Sequence, residues 1–250
     1  VVPADANTYY GINIAGIVGF IAGGAVDNCV NEANITISQL GSSDSAQALH
    51  PCVGGIVGAA SVTGDILSPI TNCVNGSQGG ATGVIKYLDN HPNQLYIPQI
   101  GGIVGLSSAS NLTDIKNNTN YAPIEFNANA AGEEKITYDS TCIGGIFGYS
   151  RGNVENNDNY GTITVSGGKI KGFILGGVVG TTTPAVRLYN CHNHQGANIT
   201  VDSDVAFWSL NVAGVVGTFS TNTAKNNYVD TCTNDAPIHV KASTDTNATA

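Results

Sequence analysis

Two pairs of side chains have the types and the spacing that metal binding or acid–base chemistry would need. His192 and His194 are separated by one residue, so on a strand both imidazoles would point to the same side, as two metal ligands do. Asp202 and Asp204 share that spacing, and paired carboxylates serve in glycan cleavage and in calcium binding. No third metal ligand is identifiable, and the aspartates follow a strand in a loop, where solvated Asp is ordinary. We therefore expect a surface turn at the histidines and no catalytic, metal or cofactor-binding residue, and we predict that the chain is not an enzyme.

The charge of the chain excludes one class of partner. The formal net charge is −9 with only nine Lys and Arg residues, whereas nucleic-acid binding depends on clustered basic side chains. Glu133, Glu134 and Lys135 form a single loop cluster. No apolar run approaches the roughly 20 residues that span a bilayer. We predict no nucleic-acid partner and no membrane span in this piece.

Aromatic side chains in the variable loops are candidates for stacking against sugar rings. Trp208 follows Phe207 in one loop, and tyrosines lie in others. Aromatic residues in a loop that covers an apolar strand more often serve packing, which we favour. The candidates for ligand stacking are Tyr96, Tyr138 and Trp208, with Tyr87 placed in a loop beside them.

The elements that would position these residues are copies of one repeat. A Gly-apolar-apolar-Gly core recurs six times, at intervals of 39, 47, 43, 32 and 37 residues. Such spacing is typical of a repeat array. The cores begin at Gly16, Gly55, Gly102, Gly145, Gly177 and Gly214.

Each core is followed by an Asn-rich segment and then by a short strand. The Asn segment is Asn28-Cys29-Val30-Asn31 in unit one, and unit six departs from it with Thr231 in the first Asn slot. We expect these asparagines to adopt the left-handed conformation at turns and to stack as side-chain ladders. Alternating β-branched residues mark the strand, as in Thr162-Ile163-Thr164-Val165, and no helical period persists for three turns.

These patterns predict an all-β fold, a parallel β-solenoid resembling a β-helix with about six repeats of 32–47 residues. One unit cannot bury its own apolar face, so it must stack on its neighbours. The glycines are expected to turn a corner or to admit close backbone packing, and the variable loops to cover the outer face of the core strand. We predict one domain over residues 1–250, with repeat cores near 12–37, 52–76, 100–126, 142–165, 174–201 and 211–240.

The six cysteines occupy two slots of this repeat. Because units one and two are neighbours, as are units five and six, Cys29 is expected to stack on Cys73 and Cys191 on Cys232. Stacked strands about 4.8 Å apart suit the Cα atoms of a disulfide, but parallel Cβ vectors oppose the usual Cβ separation near 3.8 Å. Two interpretations stay open: a ladder of buried free thiols, which we favour, or at least one bridge. The slots contain Cys29, Cys73, Asn118, Asn157, Cys191 and Cys232 in the first, and Cys52 and Cys142 in the second.

Six Asn-x-Ser/Thr sequons make the chain a candidate glycoprotein. A chain this rich in Asn, Ser and Thr produces about that many by chance, so glycan attachment is expected only where a secreting eukaryote is the source. The candidate attachment residues are Asn34, Asn75, Asn111, Asn117, Asn198 and Asn247.

Gly-Gly-Ile-Val-Gly, followed by a turn and an Asn-Cys-x-Asn-x-Gly segment, resembles the GLUG-type repeat of large bacterial and protist cell-surface proteins. The likeness covers about residues 12–240. The resemblance implies a surface-exposed, adhesin-like or spacer role and carries no catalytic residues.

We expect a non-catalytic extracellular or cell-surface module, structural or adhesive, with a surface filament subunit as one form of it. Its partners would be itself, through end-to-end assembly, or surface glycans and proteins. The filament form is suggested by the similarity of Asn13-Ile14-Ala15-Gly16 to Asn211-Val212-Ala213-Gly214 near the two ends. The alternative is a carbohydrate-binding or polysaccharide-cleaving β-helix, which would need loop carboxylates and aromatics to converge on one face.

Overall fold

Each repeat unit forms one coil of a parallel β-solenoid, as the sequence predicts. The computed structural model describes residues 12–38, 51–61, 68–79, 81–88, 98–107, 114–127, 141–167, 172–183, 186–203, 209–220 and 228–241. Within these ranges the chain is all-β, so no helix there is long and apolar enough to cross a membrane. Five short strands come from every coil, where the sequence indicated two or three. Equivalent strands pair in parallel from coil to coil, which gives five six-stranded sheets.

Sheets A and B come from the two halves of the glycine core. Sheet A consists of Asn13–Ala15, Cys52–Gly54, Gln99–Gly101, Thr141–Gly144, Gly172–Gly176 and Ser209–Ala213. Sheet B consists of Val18–Ala22, Val57–Ser61, Val104–Ser107, Phe147–Ser150, Val179–Thr182 and Val216–Phe219.

Sheet C comes from the residues just before the Asn-rich segment, sheet D from within that segment, and sheet E from the strand after it. Sheet C consists of Val26–Asp27, Ile70–Thr71, Ile115–Lys116, Val154–Glu155, Arg187–Tyr189 and Tyr228–Asp230. Sheet D consists of Val30–Asn31, Val74–Asn75, Thr119–Asn120, Asp158–Asn159, His192–Asn193 and Thr233–Asn234. Sheet E consists of Ile35–Ile37, Ile85–Leu88, Ile124–Asn127, Ile163–Ser166, Ile199–Asp202 and Ile238–Lys241.

Two apolar cores run along the solenoid. One contains side chains of sheets B and C, such as Val57 and Ile70, and the other contains side chains of sheets A and E, such as Val53 and Ile85. All four of these side chains are fully buried. A fully buried aliphatic side chain stabilises the fold by about 1.5–3 kcal/mol, and the parallel register repeats the contribution in each coil.

Sheets A and B pack against each other on the sides that face away from these cores. At Gly105 a Cβ atom would lie 2.5 Å from Val53 N and 2.6 Å from Gly58 O, so sheet B of coil three touches the backbone of sheet A of coil two. Gly58 meets Ile14 N at 2.8 Å in the same way. The strands on either side of the glycine corner therefore cover each other, and the variable loops that we expected to cover the core strand lie mainly outside the described residues.

Tyr87 corrects one expectation. We placed it in a loop as a candidate for ligand stacking, but it lies in the strand Ile85–Leu88 and is buried. Its ring stacks on Phe126 with the ring centroids 5.2 Å apart. Tyr87 is therefore a core residue and is not available to a ligand.

Candidate functional site

The most regular polar feature is a buried ladder of asparagine side chains, here called the inner ladder. Asn120 Nδ2 donates to Asn159 Oδ1 (2.9 Å) and to Ala122 O (3.0 Å). Asn120 Oδ1 accepts from Ala122 N (3.2 Å) and from Asn75 Nδ2 (3.0 Å). Every amide of the ladder donates toward the next coil, so the ladder has a direction. Its members are Asn31, Asn75, Asn120, Asn159, Asn193 and Asn234.

A second, exposed column lies at the turn before sheet D. Each of its residues has a positive φ, between 51° and 58°, as predicted for the recurring asparagines. Asn190 Nδ2 donates to Asn156 Oδ1 (2.9 Å), and Asn117 Nδ2 donates to Asn72 Oδ1 (3.2 Å). The column consists of Asn28, Asn72, Asn117, Asn156, Asn190 and Thr231.

The cysteine slot lies between these two ladders, and all six cysteines of the chain are free thiols in the structure. In coils three and four the slot residue is an asparagine, and its Oδ1 accepts a hydrogen bond from the backbone N–H of the slot residue in the preceding coil. Cys73 N donates to Asn118 Oδ1 (2.9 Å), and Asn118 N donates to Asn157 Oδ1 (3.0 Å). Cys52 and Cys142 do share a slot of sheet A, but Gln99 lies between them.

The thiols differ in their ionisation. A hydrogen bond from the Cys191 thiol lowers the pKa of Cys232 to about 7, whereas burial raises the pKa of Cys52 to about 12. Because only the thiolate reacts with alkylating agents, we expect iodoacetamide at neutral pH to modify Cys232 first and to leave Cys52 unmodified while the chain is folded. Peptide mass spectrometry at increasing times measures this order. Equal modification of both residues in the folded chain would contradict it.

His192 and His194 project from the same side of sheet D, as their spacing predicts, and Asn193 between them joins the inner ladder. His192 Nδ1 lies 2.9 Å from Thr233 Oγ1 and its Nε2 lies 3.0 Å from Asn190 Oδ1. His194 Nε2 lies 2.7 Å from Asp158 Oδ1. Within the described ranges no group of three His, Cys, Asp or Glu residues is placed to hold a metal ion.

His194 also ends a column of stacked rings that the sequence analysis missed. The ring centroids of Tyr121 and Tyr160 are 5.0 Å apart, and those of Tyr160 and His194 are 4.1 Å apart. Burial, with Asp158 and Tyr121 nearby, raises the pKa of Tyr160. The sequence carries a signal for this column of rings, because each ring residue directly follows an asparagine of the inner ladder. Because both faces of the Tyr160 ring are covered by its neighbours, a sugar ring cannot stack on it.

The other candidates for ligand stacking and acid chemistry are not brought together in the described part of the chain. Asp202 is exposed, and its Oδ1 lies 2.9 Å from Lys241 Nζ. Seven predicted residues lie outside the described ranges: Tyr96, Tyr138, Trp208, Asp204, Glu133, Glu134 and Lys135.

The sequons have different environments. Asn34 and Asn117 are exposed and Asn198 is half-buried, so their side chains face solvent at least in part. Asn75 is completely buried in the inner ladder, and the folded coil therefore does not offer it for glycan attachment, contrary to expectation. Asn111 and Asn247 lie outside the described residues.

Some side chains that the middle coils bury are exposed in coils one and six, although Val26, Asn31, Ile35 and Ile37 of coil one stay buried. In coil one, Ile17 is 44% exposed, whereas its equivalent Ile56 is fully buried. In coil six, Ile238 is 39% exposed, whereas Ile199, directly behind it in sheet E, is fully buried. Among the described residues, the large exposed hydrophobic side chains of coils one and six are Ile17, Phe20, Val30, Tyr228, Val229, Ile238 and Val240. These exposed side chains of coils one and six are therefore the candidate functional surfaces.

The fold and the ladders define a class of protein, the repeat-built parallel β-solenoid. No protein-family model matches the chain, and comparison with curated proteins and with solved structures found no match. The geometry of the ladders and of coils one and six is therefore the basis for assigning a function.

Proposed function

We propose that this chain is a non-catalytic structural module of the cell surface whose solenoid continues end to end into a second copy, forming a filament. The observation that carries the proposal is the direction of the inner ladder. The surface location rests on the resemblance of the repeat to GLUG-type repeats, and the exposed columns along the side of the filament would meet surface partners.

The inner ladder leaves complementary groups at its two ends. In the described residues, the Asn234 side-chain amide donates only to Ala236 O (2.9 Å), so one of its hydrogens has no acceptor. At the other end, Asn31 Oδ1 accepts only from Ala33 N (3.1 Å), whereas Asn120 Oδ1 accepts from two donors. A second copy in register would let Asn234 donate to Asn31, and the ladder would continue without a break.

The apolar and backbone groups at the ends are complementary in the same register. The exposed Ile238 and Val240 would stack in register on Ile35 and Ile37 of the next copy, as they stack on Ile199 and Val201 within the chain; Ile35 and Ile37 are themselves already buried. The outer edges of all five sheets would also gain backbone partners. Exposed strand edges of this kind are templates for pairing with another chain.

Charged groups oppose this contact weakly. Stacking would bring Asp230 of one copy beside Asp27 of the next copy in sheet C. It would also bring Asp235 beside Glu32, at the position that directly follows the sheet D strand. Asp27, Asp230, Glu32 and Asp235 are exposed, so water screens the repulsion between them strongly. Because salt screens such pairs, assembly should be favoured at high ionic strength.

A substitution at Gly19 tests the stacking directly. Among the described residues, a Cβ atom at Gly19 would meet only the Asn13 carbonyl group, with O at 3.1 Å and C at 3.9 Å. The equivalent Gly58 meets Gly19 O at 2.6 Å and Ile14 N at 2.8 Å from the coil before it. Gly19→Ala should therefore fold normally but clash with the backbone of an incoming copy.

The measurement is light scattering with negative-stain imaging over a range of concentrations and salt. We expect concentration-dependent fibres from the unmodified chain and from Thr36→Ala, an exposed change in the same coil, and a monomer from Gly19→Ala with an unchanged circular dichroism spectrum. A monomer at every concentration of the unmodified chain would refute the proposal. So would fibres that form equally well from Gly19→Ala.

A further inference from the structure

Cysteines in the slot between sheets C and D are confined to the ends of the solenoid. Coils three and four carry Asn118 and Asn157 there, and Asn118 Nδ2 donates to Asn157 Oδ1 at 2.9 Å. The two coils at each end carry cysteine instead. An end coil has a neighbour on one side only, so in a linear array of repeats it opens first. The cysteines therefore stand where a cross-link between coils would have the most effect.

The register places each pair side by side. Cys191 and Cys232 stack in adjacent coils, between the paired residues Tyr189–Asp230 and His192–Thr233. Cys29 and Cys73 stack in the same way, between the paired residues Asp27–Thr71 and Val30–Val74. Adjacent parallel strands lie about 4.8 Å apart, within the Cα separation of about 4.4–6.8 Å that disulfides adopt.

The Cβ atoms must approach slightly for a bond to form, since they usually lie near 3.8 Å apart in a disulfide. Among the described coils, coil one and coil six each pack against a neighbour on one side only. Each can therefore tilt toward the coil behind it, which a middle coil cannot do. Cys29 and Cys232 are also only partly buried, so an oxidant can reach one member of each pair.

We propose that the two ends carry redox-active dithiols that close to the disulfides Cys29–Cys73 and Cys191–Cys232 and fasten each end coil to its neighbour. The oxidant is a low-molecular-weight disulfide such as oxidised glutathione. The Cys232 thiolate attacks one sulfur of that disulfide and expels the first small thiol. Cys191 then loses its proton to solvent, its sulfur attacks the Cys232 sulfur, and the second small thiol leaves. At the other end, Cys29 and Cys73 follow the same sequence.

The accessibility of Cys232 fits this order of attack. Its pKa is lowered by the hydrogen bond from Cys191, so the more exposed thiol is also the more easily ionised one. Cys52 and Cys142 provide an internal comparison, because Gln99 separates them and both are buried. They should stay reduced. This inference does not depend on end-to-end stacking.

The experiment equilibrates the folded full chain with oxidised glutathione, blocks the remaining thiols by alkylation and maps the links by peptide mass spectrometry. We expect two intrachain links, Cys29–Cys73 and Cys191–Cys232, with Cys52 and Cys142 unlinked. Cys232→Ser should lose only the second link. The oxidised chain should unfold about 5–10 °C above the reduced chain, and Cys232→Ser should show part of that rise.

Three results would overturn the inference: four slot cysteines that all remain free, links that join other cysteines, or links between Cys29 and Cys232 of different molecules. The map of the unmodified chain decides among these, so the test does not require the variant to fold. A link between molecules would instead favour covalent stacking of the ends.

Discussion

Gly102→Ala should prevent folding of the solenoid. The added Cβ would overlap Gly145 O of the next coil and the amide carbon Cγ of Asn120 in the inner ladder. Neither group can move aside. The Gly145 carbonyl belongs to the backbone corner of coil four, which is paired with the neighbouring coils, and Asn120 is held by four hydrogen bonds. We expect a loss of more than about 4 kcal/mol in the free energy of unfolding, or no soluble folded protein. Urea unfolding followed by far-UV circular dichroism measures it.

Gly214→Ala is the matched control, because it changes the same slot in coil six. Its three nearest contacts are all atoms of the exposed Asn234 side chain: Cγ and Nδ2 can rotate away, whereas Cβ moves only if the strand Thr233–Asn234 shifts. We expect a smaller loss than for Gly102→Ala, because no backbone atom is among these contacts. If the two variants were destabilised equally, close backbone packing would not be the reason for glycine in this slot.

Asn120→Ala should have the second largest effect. The substitution leaves Asn75 Nδ2, Asn159 Oδ1 and both backbone groups of Ala122 without the partner that Asn120 supplies. Each buried polar group left unpaired costs about 1–3 kcal/mol. The expected loss is therefore at least about 4 kcal/mol, measured by the same unfolding experiment.

Asn234→Ala provides the comparison for this ladder. Asn234 is exposed at the open end, so its loss should cost about 1 kcal/mol in the isolated chain. It should also weaken end-to-end assembly, since it removes the amide that would donate to the next copy. A small effect of Asn120→Ala would show that water or a local shift satisfies the ladder.

Much of the fold could be predicted from local patterns in the sequence. The six glycine cores and the Asn segments gave the number of coils, because in-register stacking places equal residues at equal positions. The left-handed asparagines were predictable too, since Asn tolerates a positive φ. Thr231 shows the limit of such reasoning: its φ is 55° although it is β-branched, because stacking on Asn190 imposes the conformation of the column.

The candidate site was less predictable. Strands of only two residues, such as Val26–Asp27 and Val30–Asn31, are too short to show a period, so the separate strands of sheets C and D were not visible in the sequence. The exposed end surfaces also required the structure, because Ile17 and Ile56 occupy the same slot and differ only in having neighbours on one side or both. Glycan binding through Tyr96, Tyr138 and Trp208 stays a prediction.

Repeat period and residue type alone were enough to specify an all-β solenoid, its coil count and its slots, because these follow from contacts between equivalent residues. Three features were decided only by the tertiary structure. Sheets A and B cover each other because the corner at each glycine pair folds the chain back on itself. The inner ladder has a direction because each side-chain amide donates from its Nδ2 to the Oδ1 of the asparagine in the next coil, always the same way along the solenoid axis. That direction makes the two ends different from each other and complementary.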